Sequence, residues 1–357
     1  MLYNHSRRYF FARFAAPRTR GRRIGGYMRT LDMHCDTLMH AVFRNQNDIS
    51  RADLFSLDGQ VDLKRLSEAG AVGEFFAIYL PPATAFITQW GAEFMEDEDY
   101  IAAAAQILAQ SVEKHPDIAA RAFSAADVEK NMAAGKVSCI LTMEDGRAVL
   151  GKLENIKRFY DLGVRALSLT HNFVNCFGCP HSDDPRLMEH GLNPFGKEGV
   201  EYMQELGMLV DVSHLSDGGF FDVADIVKGP FIATHSNARA VAGHTRNLRD
   251  DQLKVLAEHG GVTGLNLCPP FIDFTEGNTH TSIEGCVAHI KHIVNVAGIE
   301  TMGLGSDFDG IFGTQEIADV SQFDKLASAL AKEGFSDGDI EKTFWKNTLR
   351  VMREGMK

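Results

Sequence analysis

Residues 31–40 read LDMHCDTLMH, and the residues just after the first short apolar run in this stretch decide the fold. TLDMHCD (30–36) has the length and apolar content of a strand. A doubly wound sheet that binds a dinucleotide would place a glycine-rich turn directly after its first strand. HCDTLMH contains no glycine, so this strand ends instead in an imidazole and a carboxylate. Residues two apart on a strand share a face, so His34 and Asp36 point one way and Cys35 the other. A lone His-x-Asp is usually an ordinary loop pair, and its meaning here depends on the rest of the chain.

Seven more runs of the same kind occur along the chain: EFFAIYL (74–80), SCILTMEDG (138–146), VRALSLTHN (164–172), MLVDVSHLS (208–216), PFIATHSN (230–237), GVTGLNLC (261–268) and MGLGSDFDG (302–310). Segments of helical period separate them at 98–113, 149–161, 196–206, 217–227, 250–258 and 283–297, with two more after the last run. Near-continuous apolar strands alternating with helices imply a parallel sheet covered by helices. Eight repeats point to closure, so the expected class is α/β and the expected fold a (β/α)8 TIM barrel. No Pro, Ser or Gly tract divides the chain after residue 30, which predicts a single barrel domain over 30–357. The strand-poor stretch 81–137, with PPATAFITQWGAEFMEDEDY, is expected to begin as a loop over one end of the barrel.

Charge is unevenly spread. Residues 1–30 hold eight arginines and no acid, whereas the remainder sets 28 basic residues against 48 acidic ones. An acidic body repels phosphate backbones, which argues against nucleic acid as a partner. RRYFFARFAAPRTRGRR is broken by arginines throughout and lacks the apolar core of an export signal. Residues 1–29 therefore read as a basic, disordered extension, or as an over-long start with Met28 as the initiator. No apolar run approaches the roughly 20 residues of a membrane span. Six cysteines without an export signal fit reduced thiols and a cytoplasmic location, and Cys176-x-x-Cys179 reads as a pair of plain loop cysteines.

Barrel enzymes build their sites at the C-terminal ends of the strands. Those ends carry His34 and Asp36, Glu144, His171, His214, His235 and Asp307. By contrast, His259, His289 and His292 fall on helical segments and read as surface residues, and Asp211 as a strand-edge acid. Three histidines, an aspartate and a glutamate supply the nitrogen and oxygen donors that suit zinc, with enough ligands for two ions if the glutamate bridges. Two such ions can hold a hydroxide and polarise a carbonyl at neutral pH, which is amide or ester hydrolysis.

DMHCDT, MEDG, LSLTHN, GMLVDVSHLSD, PFIATHSNARAVAGHTRNLRDDQL, GGVTGLNL and GLGSDFDG, in this order, make the chain resemble the membrane dipeptidase (renal dipeptidase) family of zinc peptidases from about residue 31 to 352. That family belongs to the metal-dependent hydrolase barrels. The resemblance implies two zinc ions, one on His34 and Asp36, the other on His214 and His235, with Glu144 bridging. It further implies that His171 touches the substrate and steadies the oxyanion. Arg246 would hold the substrate's terminal carboxylate, and Asp307 would shuttle the proton from the zinc-held hydroxide to the leaving amine. The implied partners are a dipeptide as small-molecule substrate and a second copy in a homodimer. Membrane attachment, a property of exported animal members, is not carried over. The same motifs leave a related amidohydrolase acting on N-acyl amino acids or lactams as the alternative. Without the resemblance Arg246 would read as a solvated cation at a helix start. Cys35, one residue from two ligands, would be a candidate for oxidation.

Overall fold

A computed structural model describes residues 29–45, 48–89 and 91–357. Of the basic extension read over residues 1–29, residues 1–28, Met28 included, lie outside the described residues. Eight parallel strands form a closed ring: β1 (Leu31–Cys35), β2 (Gly73–Tyr79), β3 (Val137–Glu144), β4 (Val164–Ser168), β5 (Leu209–Asp211), β6 (Ile232–Ala233), β7 (Val262–Leu265) and β8 (Met302–Leu304). Each pairs with its neighbour in sequence, and the pairing of Asp32 with Leu304 closes β8 onto β1. The expected barrel is thus the observed one.

The strands are apolar on both sides because one face fills the barrel and the other meets the helices. Phe75, Phe76 and Ile78 of β2, and Cys139, Ile140 and Leu141 of β3, are completely buried. The helices contribute one stripe each. In Ile283–Ala297 the Ser282 hydroxyl caps the first turn by accepting from the Gly285 amide, and Val287, Ile290 and Ile293 turn to the barrel. Among the described residues no helix is long and apolar enough to cross a membrane.

Several details depart from the sequence reading. The stretch after β2 holds a short helix, Ala83–Thr88, before the long helix Asp97–Lys114, and a three-residue strand, Ala119–Arg121, lies along β3 outside the ring. His289 is a core residue, with Nδ1 accepting from the Ala238 amide and Nε2 facing the Ile272 carbonyl. His259 and His292 are partly buried, the latter bonded to Asp250.

Candidate active site

Every site residue expected at a strand end lies at the same end of the barrel, but mostly just beyond its strand. Asp36 begins the turn into the helix Thr37–Arg44. His171 is three residues past β4, His214 three past β5, His235 two past β6 and Asp307 three past β8. His214, Asp307, Asp309 and Asp145 have positive φ (67°, 63°, 67° and 84°), so four of the five such non-glycine residues among those described sit in or beside this cluster. Left-handed backbone costs energy for a residue with a Cβ and is kept where surrounding bonds enforce it. Asp145, next to Glu144, is held by the Asn175 amide and by Arg147. Asp309 accepts from the Thr37 hydroxyl and the Gln60 amide nitrogen, anchoring the DFDG turn rather than facing the cluster. Gly310 lets that turn pass Asp36, since a Cβ there would collide with its carboxylate.

Glu144 lies at the centre, buried, and its two oxygens face different partners. Oε2 is 3.7 Å from His34 Nε2, which is also 3.8 Å from Asp36 Oδ1 and 3.9 Å from Asp307 Oδ1. Oε1 is 2.9 Å from His214 Nε2 and 3.2 Å from His235 Nε2, and those two nitrogens are 3.0 Å apart. His34 Nε2 and Asp36 Oδ1 are buried without a hydrogen-bond partner. Separations of 3.7–3.9 Å are too long for hydrogen bonds. They are what two donors show when each lies about 2.1 Å from a shared ion, roughly 3–4 Å apart. On the other side, His214 Nδ1 faces the Asn172 side-chain oxygen at 3.2 Å and His235 Nδ1 faces the Thr234 hydroxyl at 2.7 Å. A proton on each Nδ1 leaves both Nε2 lone pairs aimed at each other and at Glu144 Oε1, a convergence that a cation reconciles. The donor set therefore fits divalent metal on both sides of Glu144.

The crowding of these groups sets their charge. Burial alone would lower the His34 pKa, yet the carboxylates of Glu144, Asp36 and Asp307 outweigh it and raise it to about 10. Burial raises Glu144 well above the usual carboxylate range, with Asp36 and Asp307 adding to it against His34 and Arg246. Burial likewise lifts Asp307 to about 6, opposed chiefly by His34. Burial and then the Arg246 charge press His171 down to about 3 and His214 well below the normal histidine value. The same Cys35 thiol that looked oxidisable is 0 % exposed, and burial raises it far from the thiolate range.

Arg246 is no solvated cation: it is 3 % exposed. Among the described residues its guanidinium hydrogen-bonds only to the Ser236 hydroxyl and the His235 carbonyl, both at 3.3 Å, its Nε has no hydrogen-bond partner, and the Phe271 ring lies 5.4 Å from its centre. No carboxylate pairs with it among the described residues, so a buried positive charge is left for an anion from outside. Residues missed in the sequence complete the surroundings. Asn266 donates to Asp307 Oδ2 at 2.9 Å, and Tyr79 sets its ring edge-on to His171 at 4.9 Å. Both lie at the C-terminal ends of strands whose ends offered no acid or histidine, Asn266 one residue past β7 and Tyr79 closing β2. A polar residue closing an otherwise apolar run was the available signal.

Comparison with known proteins agrees with this geometry. The sequence profile of the membrane dipeptidase family (peptidase family M19) matches residues 18–356. A dipeptidase of Schizosaccharomyces pombe is 38% identical over 223 residues, 62% of this chain but only 53% of that protein's length. Dipeptidase tcpJ of Claviceps purpurea is 31% identical over 341 residues, covering 92% of this chain and 77% of the relative. Among solved structures, a metallopeptidase from Rhodobacter sphaeroides, liganded with a phosphinate mimic of the dipeptide L-Ala-D-Ala, superposes with a TM-score of 0.81 at 28% identity. That superposition covers 92% of this chain and all of the other. A metal-fitting cluster at the mouth of a (β/α)8 barrel, with a family match over nearly the whole chain, makes this protein a member of the membrane dipeptidase family, a hydrolase of the metallopeptidase type.

Proposed function

We propose that this chain is a two-zinc dipeptidase that hydrolyses the peptide bond of dipeptides with a free C-terminal carboxylate. The carrying observation is Glu144, whose two oxygens face separate histidine sets, with the unpaired Arg246 guanidinium close by. His34 and Asp36 would hold one ion and His214 and His235 the other, Glu144 spanning both. Bound zinc supplies a nucleophilic water at neutral pH and polarises the carbonyl under attack.

The chain's own groups do the rest. Asp307 has one oxygen fixed by the Asn266 amide and the other turned toward His34. It takes the proton from the attacking water and delivers it to the amine as the C–N bond breaks, acting first as general base and then as general acid. His171, neutral because burial and Arg246 lower it to about 3, can donate an N–H to the developing oxyanion without itself carrying charge. Arg246 grips a carboxylate one residue beyond the scissile bond, which admits dipeptides and refuses longer chains. The buried, unpartnered state of its Nε favours this clamp over a structural ion pair.

Zinc-loaded protein assayed against L,L dipeptides, L,D dipeptides of the Ala-Ala type and N-acyl amino acids separates the readings. Turnover of dipeptides is expected. Turnover of N-acyl amino acids alone would replace the dipeptidase reading with the amidohydrolase one.

A further inference from the structure

We infer that Asp211 is a positioning residue: through the Thr234 hydroxyl it fixes the tautomer and aim of His235. This inference rests on the reading of His235 as a metal ligand.

Asp211 ends β5 and is 1 % exposed. Its Oδ1 accepts from the backbone amides of Ser213 and Thr234, both at 2.9 Å. Its Oδ2 accepts from the Ser168 hydroxyl and, at 2.6 Å, from the Thr234 hydroxyl. Four donors thus converge on one carboxylate. A threonine hydroxyl has a single hydrogen, and here a carboxylate oxygen takes it. Toward His235 Nδ1, 2.7 Å away, Thr234 can then only accept, so Nδ1 must carry the ring proton. Nε2 is left as a lone pair, aimed at Glu144 Oε1 and His214 Nε2. The other tautomer would leave Nδ1 facing a hydroxyl with no hydrogen to give and would put the ring proton on the Nε2 lone pair that a metal ion needs.

The backbone makes the device rigid. The Ser213 hydroxyl receives the His235 amide at 3.0 Å, and the Asp211 carboxylate holds the amides of Ser213 and Thr234, just beyond β5 and β6, so the two strand ends enter the site as one unit. His214 has a weaker counterpart, the side-chain oxygen of the exposed Asn172, which is shared with His181 at 3.2 Å. The buried, carboxylate-backed arrangement belongs to His235 alone of the two. Partners that orient a ligating histidine this way typically govern metal affinity by about 10- to 100-fold.

The experiment uses the full chain with Thr234→Val, Thr234→Ser and Asp211→Asn, each titrated with zinc against a competing chelator and melted after metal removal. Wild type binding two zinc ions establishes the underlying reading, and its failure to bind would remove that reading before any variant is considered. Thr234→Val and Asp211→Asn should lose about 10- to 100-fold in affinity for one of the two ions, whereas Thr234→Ser, which keeps the hydroxyl, should bind like wild type. If Asp211→Asn melts early because four bonds are disturbed, the Val and Ser pair at 234 still decides. Thr234→Val with wild-type affinity, or Thr234→Ser as weak as Thr234→Val, would overturn the inference.

Discussion

At the scale of single residues, the roles proposed for Asp307 and Arg246 can be separated from folding by substitution. Asp307→Asn keeps the bond from Asn266 within reach but removes the proposed proton acceptor. Zinc content should stay near that of wild type while kcat falls by about 10²- to 10⁴-fold. Asp307 also lies within reach of His34 and His235, so loss of a zinc ion in parallel with activity would identify it as a ligand instead. Arg246→Ala should lower kcat/KM for free dipeptides on the order of 100-fold, the worth of a charge-assisted fork at about 1.5–3 kcal/mol. Dipeptide amides should lose far less, and undiminished discrimination between acid and amide would refute the clamp. The raised His34 sets the sign of the pH effect. In chelator-treated protein a histidine lifted to about 10 stabilises the fold fully below 6.5, and that contribution is lost as pH rises through about 10. Zinc bound at His34 as proposed would have to displace that proton, so affinity should climb with pH, and calorimetry in two buffers at neutral pH should register about one or more protons released per chain. Identical heats in both buffers would contradict it. Candidate ligands of this kind were legible in the sequence because imidazole and carboxylate announce metal chemistry by type. Asn266, Thr234 and Asn172 were not, because an amide or hydroxyl acquires its role only from what it touches.

At the scale of elements, the helices fell close to expectation and the strands came out short for a reason visible in their side chains. A run such as 208–216 reads as one long strand, yet the ladder ends at Asp211. Beyond it the Asp211 carboxylate takes the amides of Ser213 and Thr234, and similar substitutions occur where Asp32 accepts from Ser306 and Asn237 from Asn266. Buried side chains thus replace strand pairing at the mouth and free the backbone to turn the candidate ligands inward. Apolar periodicity cannot reveal such an exchange. His289 is the opposite case: it lies three after buried Cys286 and four before buried Ile293, so the helical stripe itself placed it inside, and its polarity misled. Close approach between strands adds one more constraint. Gly305 comes directly after β8, and a Cβ there would strike the Thr234 carbonyl oxygen. Gly305→Ala should therefore destabilise the fold by about 1–3 kcal/mol in denaturant titration and loosen zinc binding through Thr234 and His235. An unchanged midpoint with unchanged zinc affinity would show that the neighbouring strands shift without cost.

At the scale of the whole molecule, the barrel explains why residues from 34 to 307 meet. Closure of β8 onto β1 brings Asp307 to His34, with the Asp307 amide bonded to the His34 carbonyl at 3.1 Å. Eight repeated strand and helix units made that closure legible, and the strand ends then located the cluster. Which oxygen of Glu144 faces which histidines was beyond the sequence, because it depends on rotamers set by the packed mouth. The most direct test of the account is anomalous diffraction at the zinc edge from crystals of the zinc-loaded protein. Two peaks about 3.5–4 Å apart are predicted, one beside His34 and Asp36, the other between His214 and His235, with Glu144 touching both. A single peak, or a pair in which Glu144 touches neither ion, would contradict it.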